Sequence, residues 1–206
     1  MAKCANLRRI GGGYGVTFLL GRGREELNVL QQDTCGVTIF VCPPSWLTRI
    51  SKCVDLQTLD VANAYLGAYG GGVLAEAMPK CANLQTVYLG GNYIGAEGGK
   101  AIAEAMPKCT NIETLNLRRN GLSTEGGTAI AEAMPKCKKL QTLSLRQNGL
   151  GTEGVTAVVE AMPKCVKLET LDLHGTFLGA DAGKVIAEVM PKCRELQTLY
   201  LGSNSL

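Results

Sequence analysis

The chain has 206 residues, 46% of them hydrophobic, which is enough to bury a sizeable core. Its formal net charge of +3 is too small and too dispersed to indicate nucleic-acid binding. No stretch approaches the roughly 20 apolar residues that a membrane-spanning helix needs, and the apolar run 16–20 behind Lys3, Arg8 and Arg9 is too short for a signal peptide. We therefore expect neither a nucleic acid nor a membrane among its partners.

The N-terminal quarter of the chain keeps no regular period. Residues 1–10, MAKCANLRRI, are similar to residues 78–87, MPKCANLQTV, which indicates that the sequence begins inside a repeat unit. The spacing is then lost over 11–50, which contains a glycine-rich run at 11–15 and the breaker Pro43-Pro44. We predict degenerate or irregular N-terminal repeats, or a cap, for residues 1–55. One or two degenerate repeats over 11–50 are the favoured interpretation, and a cap that is not a repeat stays open.

From Leu56 onward the sequence repeats every 28 residues. Each unit opens with an apolar residue and the pattern L-x-T-L-x-L-x-x-N-x-L, and then runs through a Gly- and Ala-rich stretch into Met-Pro-Lys-Cys. The openers are Leu56, Leu84, Ile112, Leu140, Leu168 and Leu196. A fixed period of this length with a Leu/Asn signature is typical of a stacked solenoid, in which no unit buries its apolar face alone. We predict five full units and the start of a sixth over residues 56–206.

The first part of each unit predicts a short strand followed by a turn. The leucines of L-x-T-L-x-L recur at spacing two, so they point inward while the residues between them face solvent. An asparagine follows at the turn, where its side-chain amide can pair with backbone groups that have no ladder partner. These asparagines are Asn92, Asn120, Asn148 and Asn204. Ala64 and Thr176 replace the asparagine in two units, so the predicted asparagine ladder is incomplete.

The second part of each unit predicts a helix. In residues 125–134 the apolar side chains Ala129, Ile130, Ala133 and Met134 share one face at helical spacing. Thr124 and Glu125 are the expected N-cap and first-turn acid, and the proline of Met-Pro-Lys-Cys ends the helix. Alternating strands and helices place neighbouring strands in parallel, with the helices as the outer wall.

These residues resemble the ribonuclease-inhibitor type of leucine-rich repeat. The likeness is carried by the L-x-x-L-x-L-x-x-N-x-L blocks, the 28-residue length and the cysteine three positions before each opening leucine. The same subtype occurs in the Ran GTPase-activating protein and in the sensor ends of NOD-like receptors. The resemblance implies an α/β leucine-rich repeat solenoid, a curved horseshoe with parallel strands on the concave face and helices on the convex face. It also implies binding of other proteins on the concave face, but no reaction, because the family shares a scaffold.

Six cysteines occupy one position in successive units: Cys53, Cys81, Cys109, Cys137, Cys165 and Cys193. We predict an interior column of free thiols, because the helical edges of adjacent units in a curved solenoid should lie further apart than the roughly 7 Å between Cα atoms that a disulfide allows. Free thiols indicate a reducing compartment, the cytoplasm or the nucleus. A zinc site is not indicated, because the sequence has no C-x-x-C pair and His174 is its only histidine. We expect no metal.

The sequence shows no convincing catalytic motif. The glycine run 11–15 lacks the spacing of a dinucleotide-binding loop, and the phosphate-loop-like residues 98–100 recur in register at 126–128, as a repeat feature does. His174 follows Asp172 on the same outward face, but no nucleophile can be placed beside them. We therefore expect a protein that is not an enzyme and binds no cofactor.

The outward strand positions carry the information about function, because they change from unit to unit. Stacking the units brings a basic centre together with flanking tyrosines, and Arg and Tyr are enriched at interface hot spots. The predicted partner-binding residues on the concave face are Tyr88, Asn116, Arg118, Arg119, Ser144, Arg146, Gln147, Asp172, His174 and Tyr200. The alternative is that these are ordinary solvated positions that have drifted.

Two classes of function stay open. The favoured one is a non-enzymatic protein–protein interaction scaffold that binds a partner with an acidic patch on its concave face. The alternatives follow from the resemblance: a regulator of a small GTPase, like the Ran GTPase-activating protein, or the sensor end of a NOD-like receptor. The sequence decides neither between them nor on the oligomeric state.

Overall fold

The computed structural model describes residues 9–10, 50–53 and 55–204. Its strands are short and evenly spaced: β1 Arg9–Ile10, β2 Thr58–Asp60, β3 Thr86–Tyr88, β4 Thr114–Asn116, β5 Thr142–Ser144, β6 Thr170–Asp172 and β7 Thr198–Tyr200. Its helices alternate with them: α1 Gly67–Ala77, α2 Gly95–Ala105, α3 Ser123–Ala133, α4 Gly151–Ala161 and α5 Ala180–Val189. Each helix runs into a single 3₁₀ turn, the first at Met78–Lys80.

The strands form one parallel sheet in sequence order from β1 to β7. From β2 onward, equivalent residues of neighbouring units pair, so Thr86 lies opposite Thr58 and Thr114. At the N-terminal end Arg9 pairs with Thr58, its partner 49 residues later in the chain. The predicted repeats or cap over 1–55 lie largely outside the described residues and stay a prediction. The predicted α/β solenoid with parallel strands is confirmed.

The inter-unit hydrogen bonds extend beyond the three-residue strands. Gln85 and Thr86 both donate a backbone N–H to Gln57, and the pairing continues as Leu89 donates to Asn116 over 2.8 Å and Gly91 donates to Arg118 over 2.8 Å. The strand and the turn after it are therefore hydrogen-bonded to the next unit as one segment. This fixes the backbone positions of the residues at the strand ends.

The core lies between the sheet and the helices. The inward residue of each strand from β2 to β6 is fully buried, as Leu59, Val87 and Leu115 are, and the helices contribute Ile102 and Ile130 from the facing side. Glycines let neighbouring helices approach: a Cβ at Gly98 would stand 3.3 Å from the backbone oxygen of Ala68 in the preceding helix, and one at Gly99 only 2.8 Å from Cδ2 of Leu122 at the start of the following helix. The Gly-rich stretch of each repeat is thus a packing requirement of the stacked helices.

The helix boundaries match the predicted unit with one correction. Helix α3 ends at Ala133, and Pro135 lies in the 3₁₀ turn Met134–Lys136 that follows. Glu125 is in the first turn, as predicted, but Thr124 is not the N-cap. The Thr124 hydroxyl instead donates to the backbone oxygen of Leu150 over 2.9 Å, so it joins two units. The prediction of a Thr124 cap was wrong because the helix begins at Ser123, two residues before the predicted start at Glu125.

Candidate functional site

A buried row of asparagines holds the turns that end the strands. Asn120, 1% exposed, donates from Nδ2 to the backbone oxygens of Leu89 and Leu117, both over 2.9 Å, and accepts the N–H of Asn92 at Oδ1 over 3.0 Å. Asn92 and Asn148 make the equivalent bonds in their own units. The predicted asparagine ladder is confirmed, and it positions the exposed residues of each turn.

The predicted gaps in the ladder have different consequences. Ala64 still donates its N–H to Oδ1 of Asn92 over 2.8 Å, because that bond needs only its backbone. Thr176 is fully buried and donates from Oγ1 to the backbone oxygen of Leu173 over 2.7 Å. Threonine has no amide, so it lacks the two further bonds that Asn120 makes to the preceding unit. The ladder is therefore weakest between the units of Asn148 and Thr176.

The exposed face of the sheet, which corresponds to the predicted concave face, carries a depression of about 400 Å³. The depression is lined by Asn116, Arg118, Arg119, Thr142, Leu143, Ser144, Arg146, Thr170, Asp172 and Tyr200. Seven of the ten predicted site residues therefore meet there. Gln147 adjoins the rim through a 2.6 Å bond from Nε of Arg119, and Tyr88 pairs with Asn116 across the sheet. His174 lies outside the depression.

The arginines of the depression have no acidic neighbours within ion-pair distance. Among the residues that the structure describes, the only salt bridges join Lys100 to Glu97 and Lys184 to Asp181, both on the helices. The one carboxylate in the depression, Asp172, accepts the Ser144 hydroxyl at Oδ2 over 3.0 Å and the N–H of His174 at Oδ1 over 3.0 Å. Three guanidinium groups thus share the depression with a carboxylate that already has two hydrogen bonds.

The direction of the Arg118 side chain differs from what strand spacing alone implies. Strands stand about 4.8 Å apart, so Arg118 and Arg146 were expected as near neighbours. Arg118 instead leans over Gly90 of the preceding unit, where an added Cβ would stand only 2.7 Å from its Cγ. Its stem therefore leans away from Arg146, and the absence of a side chain at Gly90 provides the room.

Ser144, Asp172 and His174 do not form a catalytic arrangement. In a serine–histidine–acid triad the imidazole lies between the hydroxyl and the carboxylate. Here Ser144 donates directly to Asp172, and His174 contributes its backbone N–H, while its ring leans over Gly202, whose added Cβ would stand 2.8 Å from Nδ1. Within the described ranges no group of three His, Cys, Asp or Glu side chains could hold a metal ion.

The predicted column of interior thiols is confirmed for the described cysteines. Cys81, Cys109, Cys137 and Cys165 are free and buried, Cys193 is free and half-buried, and Cys53 is buried at the same repeat position. Cys137 and Cys165 donate their S–H to the backbone oxygen four residues earlier, over 3.4 and 3.3 Å. Burial raises the pKa of Cys81 and Cys137 to about 11 and that of Cys109 and Cys165 to about 12. These thiols stay protonated, so they are packing groups.

A second exposed row was missed at the level of sequence. It lies in the turn between strand and helix, at one position of successive units, and its members are Tyr65, Tyr93, Gly121, Gly149 and Phe177. All five have a positive φ, and the three aromatic side chains are exposed. The available signal was the alternation of aromatic residues and glycine at a single repeat position, because glycine there indicates a left-handed backbone.

The comparisons with known proteins agree with this geometry. A family model for the leucine-rich repeat matches three consecutive units, at residues 80–103, 108–131 and 136–159. The matched units are leucine-rich repeats, and the 28-residue spacing of the sequence continues on either side of them. No curated protein sequence matches it significantly.

Among the solved structures that share the fold, two serve as examples. One is the leiomodin-1 actin-binding site 2, with a TM-score of 0.61 and 17% identity over 77% of this chain and 91% of that one. The other is the tropomodulin C-terminal domain of Caenorhabditis elegans, with a TM-score of 0.61 and 16% identity over 73% of this chain and 92% of that one. At such low identity the likeness shows the fold alone. In the described part of the chain no helix is long and apolar enough to cross a membrane.

Proposed function

We propose that this protein is a non-enzymatic interaction scaffold that binds an acidic patch of a protein partner on the exposed face of its sheet. One observation carries the proposal: the depression holds three arginines, while its only carboxylate is hydrogen-bonded to Ser144 and His174. A binding surface that lacks its own counter-charges is complementary to a partner that supplies them.

The side chains suit this role chemically. Arg118 and Arg119 are exposed, and a guanidinium group can make two parallel, charge-assisted hydrogen bonds to one carboxylate. Tyr200 is 53% exposed at the edge of the same depression and offers a rigid contact surface with little conformational entropy to lose. The asparagine ladder beneath keeps these residues in place before the partner arrives, which lowers the entropic cost of binding.

The likeness to known proteins supports the class of function and suggests one partner to test. The similar leiomodin-1 structure is an actin-binding site, so actin is the first candidate partner for this chain. The ribonuclease-inhibitor subtype is supported by the 28-residue unit and by the cysteine column. No observation favours a regulator of a small GTPase or the sensor end of a NOD-like receptor. The free thiols support a reducing compartment, the cytoplasm or the nucleus.

The test reverses charge on two faces and compares binding. Arg118→Glu with Arg146→Glu should weaken binding of a glutamate-rich peptide, and of actin if actin is the partner, by about 2 kcal/mol or more, roughly 30-fold. The matched control, Lys108→Glu with Lys136→Glu, makes the same charge change on exposed residues of the 3₁₀ turns and should alter binding little. Isothermal titration at low and physiological ionic strength measures both pairs.

The thermal unfolding of the arginine pair should match that of the unsubstituted protein, because both side chains face solvent. If the lysine pair abolishes binding and the arginine pair does not, the partner binds the helical side and the proposal is wrong. An equal loss of affinity in the two double variants would mean that peptide binding depends on the net charge of the protein alone.

A further inference from the structure

The aromatic row is a second candidate surface, separate from the depression on the sheet. We define it as Tyr65, Tyr93 and Phe177, which occupy the position held by Gly121 and Gly149 in the two units between. Their side chains are 57%, 68% and 72% exposed, so none of them fills the core. The row lies in the turns that lead into the helices, whereas the arginines lie at the strand ends.

The backbone of the row is unfavourable for aromatic residues. Tyr65, Tyr93 and Phe177 have φ values of 52°, 56° and 63°, in the left-handed region that costs free energy for a residue with a Cβ. Gly121 and Gly149 adopt the same conformation, at 64° and 62°, without that cost. Burial does not compensate the aromatic residues, because they are exposed. Contact with something outside the fold would explain their presence.

The row contains an open slot one side chain wide. The rings of Tyr65 and Tyr93 are stacked, with centroids 5.7 Å apart and an angle of 22° between their planes. The ring of Phe177 leans back over Gly149, where an added Cβ would lie 3.6 Å from its Cε2. Over Gly121 there is open space, with no atom within 4 Å of an added Cβ. The slot is thus bounded by Tyr93 on one side and Phe177 on the other.

The width of the slot is within the range of cation–π contacts from both rings. Two steps of the 5.7 Å ring separation give a span of roughly 11 Å, which places a group in the middle about 5.5 Å from each ring, inside the roughly 6 Å range of cation–π contacts. A stacked aromatic pair would have a similar spacing, so the width alone does not choose the occupant.

The charges beside the slot favour a cation. The first helical turn next to the row is acidic in four successive units, with Glu97, Glu125, Glu153 and Asp181. Glu97 and Asp181 form ion pairs with lysines of their own helices, whereas Glu125, in the unit of Gly121, accepts a hydrogen bond from the Ser123 hydroxyl and is attracted more weakly by Lys100 of the preceding helix. That hydrogen bond lowers the pKa of Glu125, so its carboxylate stays ionised.

We propose that the slot over Gly121 binds the side chain of an arginine presented by a basic segment of a partner protein. The guanidinium group is planar and weakly hydrated, so it stacks between two aromatic faces better than the compact ammonium group of lysine does. Glu125 supplies the counter-charge beside it. An acidic or phosphorylated segment would be repelled by the same carboxylates.

The test uses N-acetyl-arginine amide as the probe and reads the ring signals of the aromatic row by NMR. Titration should shift the Tyr93 and Phe177 signals saturably. Tyr93→Gly and Phe177→Gly, made as separate variants, should each weaken binding of the probe at least about fivefold. Glu125→Gln should weaken binding of the probe as well. Both glycine substitutions copy the residues of the neighbouring units, so the variants should fold, with a Tm equal to or above that of the unsubstituted protein.

Two controls and three outcomes make the test decisive. N-acetyl-lysine amide should bind measurably more weakly than the arginine probe, and Tyr200→Ala, on the sheet face, should leave arginine binding unchanged. The proposal is overturned if the arginine probe causes no saturable shift, or if lysine binds equally well. It is also overturned if Phe177→Gly lowers the Tm by more than about 4 °C, because the ring would then be a structural cover. Binding of a glutamate-rich peptide is measured separately, so failure here leaves the sheet-face proposal standing.

Discussion

Two repeat positions in the turn after each strand, which lie two residues apart in the sequence, have opposite properties. Each position forms a row along the stacked units. Asn120 is buried and occupies a position that is asparagine in four of the six units described, whereas Arg118 is exposed at a position that changes from unit to unit. The Asn120 side chain bonds to backbone groups of two units, while no hydrogen bond of the Arg118 side chain is seen within the described chain. The same residue recurs at a repeat position where the units contact each other. The residue varies at positions that contact only solvent or a partner.

The largest effect should come from breaking the buried row. Asn120→Ala removes the acceptor of the buried Asn92 N–H, and it removes one of the two amide donors from each of the backbone oxygens of Leu89 and Leu117. The unsatisfied N–H costs about 1–3 kcal/mol and each lost hydrogen bond about 1 kcal/mol, so the free energy of unfolding should fall by about 3 kcal/mol or more. Urea unfolding followed by circular dichroism measures the loss.

The matched substitution in the exposed row is Arg118→Ala, which should change stability by less than about 0.5 kcal/mol. Equal losses for the two variants would contradict the division of the turn into a structural row and a binding row.

A smaller effect is expected from the buried thiols at alkaline pH. The pKa of Cys109 is raised from 9.0 to about 12 by burial, so the folded chain keeps this proton while the unfolded chain loses it above pH 9. Stability is therefore intact below pH 9 and falls as the pH rises toward 12. Between pH 9 and 10 one such thiol accounts for about 1 kcal/mol of that loss.

Cys109→Ala isolates this contribution from other groups that titrate in the same range. The variant should be less stable than the unsubstituted protein at pH 8, because a buried group is lost, but its stability should decline less steeply above pH 9. Urea unfolding at several pH values gives both quantities. A decline as steep as that of the unsubstituted protein would mean that Cys109 ionises in the fold.

The smallest effect should come from completing the ladder. Thr176→Asn nearly preserves side-chain volume and adds an amide that can reach the backbone oxygen of Leu145 and the N–H of Asn148, as Asn120 does for its neighbours. The expected gain is about 1 kcal/mol of unfolding free energy. Thr176→Val, which removes the bond to Leu173 without adding an amide, should lower stability by a similar amount. A loss in the asparagine variant would show that this turn has a different geometry.

The 28-residue period was sufficient to predict the architecture and most of the residues on the exposed face of the sheet. Spacing alone placed the asparagine ladder, the cysteine column and the residues that line the depression, because stacking in register converts repeat position into spatial position. The lean of Arg118 could not be predicted in this way, since it depends on the missing side chain at Gly90. Thr124 was misassigned because its hydroxyl bonds to the next unit. The left-handed aromatic row was missed because its signal in the sequence, glycine alternating with aromatic residues at one repeat position, indicates the backbone conformation only indirectly.

The most direct test of the central claim maps where an acidic ligand binds. A glutamate-rich peptide is titrated into the isotopically labelled protein, and the arginine Nε–H and backbone amide signals are followed by NMR. The account predicts that the largest shifts occur at Arg118, Arg119 and Arg146, with the helices α2 to α4 unaffected. Shifts concentrated on the lysines of the 3₁₀ turns, with the arginine signals unchanged, would contradict it.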